Sequence, residues 1–415
     1  MQLRLRFITF AITVGFLMAS GFVLAGENRL LLAGQVMLQH NLAVFDSPAN
    51  AQHQTLQKIK RDTEQVFDVM KRNDVLVLEL ESALKVDAAK GASASLGREK
   101  DSDFFHEIER SAIVNLLQNK SRLARHPVLF AGANNHVSDN GAAGIEGLIA
   151  LFEELKVPLA GIGLQDQAAA PHFLTIQHQG QDVQKFALVA FATDKVKLEA
   201  KKDALGVNVL SMMSGEKKGI KSEDEQRIMQ SIASAHNQQS SVVAYHHNHH
   251  WSQEKVNQAG GVEQWRIDFA RRCIDRGADV YFAHGEPRLQ GIEIYQGKPI
   301  FYGLGNFVFQ TRKVNFYQSE VWESVLVELV YADPQLNDKN ALRQITSIKL
   351  IPLILNEHGA DDVYFETRGL PALAKGAQAK NILVRLQMMS QAYGTQIEID
   401  DSNPQASVGM IHIRR

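Results

Sequence analysis

One cysteine in 415 residues, Cys273, leaves nothing for an internal disulfide and excludes any zinc cluster built on thiolates. It falls within a stretch of helical spacing and reads as a buried, inert thiol. Charge of one sign is also missing. The formal net charge is −2, with no long acidic or basic block, which excludes a nucleic-acid partner held mainly through phosphate contacts. Internal repeats are absent, and apart from a Lys/Ala/Ser/Gly-rich loop at 85–96 there is no low-complexity tract. With 45% hydrophobic and 22% charged residues, the chain can bury a sizeable core, and wholesale disorder is excluded.

A long apolar run occurs at the start, Phe7 to Ala25, behind Arg4 and Arg6 and ending in V-L-A before Gly26. A basic start, an apolar middle and small residues at the end describe a secretory signal cut after Ala25. The run is nearly long enough to span a bilayer, so an uncleaved anchor is the rival reading. Either way the body is expected outside the cytoplasm, secreted, periplasmic or held at the outer face of the membrane.

The centre of the chain is S-V-V-A-Y-H-H-N-H-H-W, Ser241 to Trp251. Val242, Val243, Ala244 and Tyr245 form a buried-strand run that empties into His246, His247, His249 and His250. Imidazoles projecting where a strand meets solvent suit a metal site; a histidine-rich turn without metal is the alternative. Other strand ends carry polar residues too. Arg29–Leu38 is a continuous apolar strand broken by Gly34 and Gln35. After a helix over Thr55–Arg72, Asp74 leads into V-L-V-L-E-L-E-S, where Glu79 and Glu81 share one strand face. Carboxylates that close repel unless a cation or proton lies between them; a solvated strand end is the bland reading.

A helix over Glu107–Leu123 and a turn at His126-Pro127 precede V-L-F-A-G-A, which ends in Asn134, Asn135 and His136. Asp139 could cap the next helix, which runs to Leu155. Further strands are expected at Val157–Gly163, His172–Thr175 and Lys185–Ala192, with His172 and His178 at the surface. The lysine-rich stretch from Lys195 to Glu225 reads as a solvated face or an excursion over the site. Helices follow at Ser222–Ala235 and Val262–Arg276, the latter stopped by Gly277. G-A-D-V-Y-F-A-H-G-E-P then places His284 at a strand end, and a hairpin turns at Gln296-Gly297. Paired strands at Val321–Tyr331 and Gln344–Leu355, a helix at Ala374–Ala392, and strands near Gln396-Ile397 and Gly409–Ile413 complete the chain. Helices and strands alternate early and strands pair locally later, which predicts a mixed-sheet sandwich covered by helices. The expected organisation is one body, 26–310 completed by 311–415.

Several of these stretches together resemble the CapA family of capsule synthesis and poly-gamma-glutamate proteins, within the calcineurin-like metallophosphatase superfamily. They are A-G-Q-V-M-L, D-V-L-V-L-E-L-E, A-N-N-H-V-S-D-N-G, V-V-A-Y-H-H-N-H-H and G-A-D-V-Y-F-A-H-G-E-P-R-L-Q-G-I-E-I-Y-Q-G-K-P-I-F-Y-G-L-G-N-F-V-F, in the family's order over most of 29–310. The resemblance implies an α/β fold of four layers, α/β/β/α, with a metal site where strands end. It implies Glu81, Asn135, His246 and His284 as metal ligands. His136 would be the acid that protonates a leaving group, oriented by Asp139. Two positions depart from the family: Gln35 stands where aspartate is usual, and Pro287 where a second histidine is usual. The resemblance therefore implies a two-metal site with one half dismantled. Glu79 could restore lost charge, His250 or Glu286 could act as substitute ligands, and Asn134 and Gln35 could touch substrate.

The function expected on this basis is metal-assisted hydrolysis or transfer at a phosphoester or amide of an anionic polymer. It would use one divalent cation (Mn, Fe or Zn), in concert with other envelope-biosynthesis proteins. The alternative is a non-catalytic envelope protein that keeps the fold to bind or guide such a polymer.

Overall fold

The computed structural model describes residues 28–86, 105–124, 126–178, 181–213, 219–250, 261–313, 315–332, 344–360, 364–403 and 406–413. The N-terminal apolar run and most of the 85–96 loop lie outside them. No helix among the described residues is long and apolar enough to cross a membrane.

Two sheets carry the architecture. In the first, β1 (Arg29–Met37), β2 (Val75–Leu80), β3 (Val128–Ala131) and β4 (Leu159–Ala160) are parallel neighbours in that order. On its other side β1 pairs with β11 (Asn306–Phe309) in parallel and with β12 (Glu323–Tyr331) antiparallel. Next to β12 comes β13 (Ile345–Leu355), which also pairs with β14 (Pro371–Leu373) and β16 (Val408–His412), and β15 (Glu398–Asp400) closes that edge. In the second sheet the order is β9 (Ile292–Tyr295), β10 (Lys298–Phe301), β8 (Val280–His284), β7 (Ser241–Asn248), β6 (Gln181–Thr193) and β5 (His172–His178). Here β6, β7, β8 and β10 run parallel. The principal helices are α1 (Gln54–Met70), α2 (Arg110–Gln118), α3 (Gly141–Leu155), α4 (Ser222–Asn237), α5 (Gln264–Asp275) and α6 (Gly376–Gln391).

Strand parity distributes the core. From β7, Val243 and Tyr245 join Val280 and Phe282 of β8 in the large cluster shared with the first sheet. Val242 and Ala244, with Tyr281 and Ala283, face the other way, onto Ile228 and Ile232 of α4 and Phe269 and Cys273 of α5. Burial pushes the Cys273 thiol well above its usual pKa, so it is an uncharged packing group. Because β7 is apolar on both faces, it is fixed between two cores, and residues leaving its end inherit that alternation.

Local expectations fare unevenly. The helices over 54–70, 222–237, 264–275 and 376–391 are present. Gln296 and Gly297 both adopt positive φ, 50° and 73°, as a tight hairpin turn requires. The helix expected over Glu107–Leu123 is shorter, Arg110–Gln118, because Glu107–Ile108 pairs as a strand with Ala83–Leu84. Two glycines mark where loops close on each other. A Cβ on Gly34 would lie 2.3 Å from the Gly305 carbonyl oxygen, and one on Gly285 (φ 101°) would lie 2.0 Å from that of Asn248. These approaches draw the ends of β1, β7 and β8 toward one place.

Candidate metal centre

The parallel strands of both sheets deliver their carboxyl ends to a common region, the usual site of ligand chemistry in such sheets. Glu79 lies near the end of β2 and Glu81 just beyond it, and both are essentially inaccessible to solvent. Two buried carboxylates on one face are costly unless positive charge is supplied. Facing both carboxylates from β7 is His247. Its Nδ1 lies 2.7 Å from Glu79 Oε1, and its Nε2 lies 2.8 Å from Asn135 Oδ1 and 3.5 Å from Glu81 Oε1. His249 follows, its backbone N–H donating to the Thr193 carbonyl at 2.9 Å. Ligand atoms of Glu81, His247 and His249 all lie within 4.8 Å of one another.

The loop after β3 is built by Asn134. Its Nδ2 donates to the carbonyls of Leu80 and Gly132, and its Oδ1 accepts the backbone N–H groups of His136 and Val137. With every polar atom engaged in the backbone, Asn134 acts as scaffold rather than substrate contact, and it frees Asn135 and His136 to face the site. His136 Nδ1 is 2.8 Å from Asp139 Oδ2, and its Nε2 is 3.9 Å from Glu81 Oε1. Asp139 caps no helix; α3 begins after Asn140, and the buried Asp139 carboxylate serves His136 and the backbone N–H of His106.

One ligand expected from the resemblance is displaced by a residue. His246 points away from the carboxylates, into the helix-facing core, where Nε2 meets Thr193 Oγ1 at 2.7 Å and Nδ1 meets the Tyr281 hydroxyl at 2.6 Å. Phe191 packs over it at 4.9 Å between ring centroids. Burial, with Arg266 and His247 adding to it, holds its pKa well below the usual histidine value. Strand alternation requires that if Tyr245 faces the first sheet then His247 does also, and His246 cannot.

His284 is the register partner of His247 on β8 and shares its face. Its Nδ1 is 4.0 Å from Glu79 Oε2, and neither ring nitrogen hydrogen-bonds to a described residue. Burial lowers its pKa to about 4, so the ring is neutral and able to donate a lone pair. The suggested substitutes are elsewhere. His250 Nδ1 sits 3.1 Å from Asp194 Oδ2 on a half-exposed edge. Glu286 accepts from Gln290 Nε2 at 2.5 Å, beside Arg266, and burial pushes its pKa up to about 7. Each was near in sequence but packs against a different neighbour.

Gln35 does reach the site. Its Nε2 donates to Glu81 Oε2, while Oε1 is buried without a hydrogen-bond partner among the described residues. An amide N–H thus occupies one side of the Glu81 carboxylate, and the imidazoles lie on the other. A carboxylate oxygen, an amide oxygen and two imidazoles form a donor set that suits Mn, Fe or Zn, so the residues present fit one divalent cation.

With this geometry established, comparison with known proteins is decisive for kinship. Residues 29–311 match the family model described as bacterial capsule synthesis protein PGA_cap. The chain belongs to this family. Its architecture is accordingly the four-layer α/β/β/α sandwich of metallophosphatase type. Proteins similar to it include the uncharacterized protein y4sH of Sinorhizobium fredii, 31% identical over 193 residues, covering 39% of this chain and 38% of the relative. The PGA biosynthesis protein CapA of Bacillus subtilis is 27% identical over 230 residues, covering 52% and 55%. The capsule biosynthesis protein CapA of Bacillus anthracis is 26% identical over 178 residues, covering 43% and 39%. The matches span between about two fifths and just over half of these relatives' length.

His247 and His249 were visible in the sequence only as members of a histidine cluster. The parity of the run from Val243 through Tyr245 to His247 is what singles out the first, once the inner face of β7 is known.

Proposed function

We propose that this protein serves capsule or polyglutamate-type polymer synthesis outside the cytoplasm, as a hydrolase that works with one divalent cation. The proposed ligands are Glu81, Asn135, His247 and His249, with His284 alongside. A cation bound there would supply Lewis acidity at a phosphoester or amide of an anionic polymer. The protein's own residues do the rest. Asp139 accepts a hydrogen bond from Nδ1 of His136 and fixes the ring, which leaves Nε2 on the side of Glu81 to take up the proton released by the attacking water and pass it to the leaving group. Glu79 orients His247 through Nδ1, the arrangement by which carboxylates commonly set the direction of a metal-binding imidazole.

The observation that carries this reading is the approach of Glu81, His247 and His249 ligand atoms to within 4.8 Å, with Asn135 Oδ1 2.8 Å from His247 Nε2. The test is elemental analysis of the purified protein, with hydrolysis of bis(4-nitrophenyl) phosphate and γ-glutamyl-4-nitroanilide. One bound ion, and turnover lost in His136→Ala, is expected; a metal-free protein would end this reading. A second reading rests on Gln35, whose amide fills a place that the resemblance assigns to a metal-binding aspartate. A protein that binds polyglutamate tightly and has no turnover on either probe would favour polymer guiding over hydrolysis.

A further inference from the structure

The segment after β6 crosses from the second sheet to the first and sets an ammonium on the carboxylate behind His136. Lys197 Nζ lies 3.2 Å from Asp139 Oδ1, and Asp139 is fully buried. The other oxygen, Oδ2, meets His136 Nδ1 at 2.8 Å and the His106 backbone N–H at 3.3 Å. Lys197 is held in place by its own surroundings. Val196 and Leu198 pack on the central core, and the Leu198 carbonyl accepts the Val207 N–H at 2.9 Å. The crossing begins at Asp194 and Lys195, successive non-glycine residues with φ of 66° and 51°. That conformation is disfavoured for L-residues and persists where the surroundings over-determine it, commonly near functional sites.

We infer that Lys197 is a positioning residue for the proton-transfer dyad: its charge keeps Asp139 an acceptor, so that His136 stays protonated at Nδ1 and presents Nε2 to the metal side. The inference rests on the hydrolase reading given above. A buried carboxylate without a cationic neighbour carries a large desolvation cost, which protonation would relieve. A protonated Asp139 would donate to Nδ1 instead, and His136 would then adopt the opposite tautomer. The ammonium at 3.2 Å removes that alternative. Among the described residues the ion pair of Lys197 is with Asp139 and with none of the proposed ion ligands, so its effect is expected to pass through Asp139 and to leave metal content unchanged.

The test compares full-length wild type, Lys197→Met, Lys197→Gln and Lys197→Arg for metal content, melting temperature and hydrolysis of bis(4-nitrophenyl) phosphate and γ-glutamyl-4-nitroanilide. It adds the ¹⁵N spectrum of His136 in histidine-labelled protein. Because a placed general acid contributes about 10²–10⁴-fold, Lys197→Met is expected to lower kcat about 10- to 100-fold with KM and metal content unchanged. Lys197→Arg restores most of the loss, and the Nδ1-protonated signal of His136 disappears in Lys197→Met. If that variant does not fold, Lys197→Gln takes its place in each comparison. A kcat within twofold of wild type, with the Nδ1-protonated tautomer retained, overturns the inference. Should wild type and His136→Ala show equal turnover on both probes, the hydrolase reading fails, and the His136 spectrum decides the role of Lys197 by itself. Retention of the tautomer without the lysine then refutes it, and its loss supports it.

Discussion

Glu79 Oε1 and His247 Nδ1 are 2.7 Å apart with no solvent access to either side chain. The opposite nitrogen of the same ring faces Asn135 and Glu81. A carboxylate thus lies behind the ring, on the side away from the other donors, where such partners commonly orient metal-binding imidazoles. Removing the charge without changing the shape should weaken the site without erasing it. Glu79→Gln is expected to lower ion affinity about 10- to 100-fold, the usual cost of losing such an orienting partner. Titration calorimetry with Mn²⁺ or Zn²⁺ on the metal-free protein measures this. An unchanged Kd would mean that His247 is not a ligand held by Glu79.

The neighbouring histidines should separate cleanly. His247→Ala is expected to abolish stoichiometric ion binding. His246→Ala should retain the ion but lose about 2–4 kcal/mol of stability, because it empties a packed position and strands the hydroxyls of Thr193 and Tyr281. Elemental analysis and urea denaturation of both variants decide. Ion loss in the His246 variant with retention in the His247 variant would reverse the assignment.

Why the sequence pointed one residue off is a matter of burial on both faces. Glu79 and Glu81 could be placed together from strand period alone, since two polar residues two apart in an apolar run must share a face. In β7 the run Val242 to Tyr245 is apolar at every position, so no alternation distinguishes inside from outside. The alternation becomes readable only when α4 and α5 are seen to cover one face and the first sheet the other. Lys197 was hidden for a different reason. It lies in a lysine-rich stretch whose composition is that of a solvated surface, and only the crossing between sheets brings it to Asp139. Glu286 and His250, offered by the sequence as substitute ligands, have other partners in the fold: Glu286 accepts from Gln290, and His250 meets the exposed aspartate Asp194, because neighbours in a loop diverge once nearer partners are available.

Gln35 makes the metal side of Glu81 testable from the opposite direction. In Gln35→Asp a buried carboxylate would face Glu81 where an amide N–H now donates. Without metal, that like-charge pair should destabilise the fold by about 2–3 kcal/mol. With Mn²⁺ the variant should gain more in melting temperature than wild type does, since the new oxygen is a cation ligand. Thermal denaturation with and without the ion gives both numbers. Equal metal-induced shifts in variant and wild type would show that residue 35 does not border the ion.

The clamp that anchors the segment carrying Lys197 should fail in acid. Asp224, in the first turn of α4, accepts the Ser211 backbone N–H at 3.0 Å and Arg227 Nη1 at 2.9 Å. Arg227 also donates to the Val209 carbonyl at 2.7 Å, so residues 208–211 are tied to the helix. Burial alone would raise the Asp224 pKa, but the bonds from Ser211 and Arg227 outweigh it and hold the carboxyl below its ordinary value. A carboxylate depressed in the folded state contributes stability above its unfolded pKa, about 4, and that contribution is lost as pH falls through the folded value. Asp224→Asn should therefore cost about 1–2 kcal/mol at pH 7 and much less at pH 3, with metal content at pH 7 unchanged. Urea titrations at the two pH values check it, and an equal cost at both would show that the ionised form of Asp224 contributes nothing to the clamp.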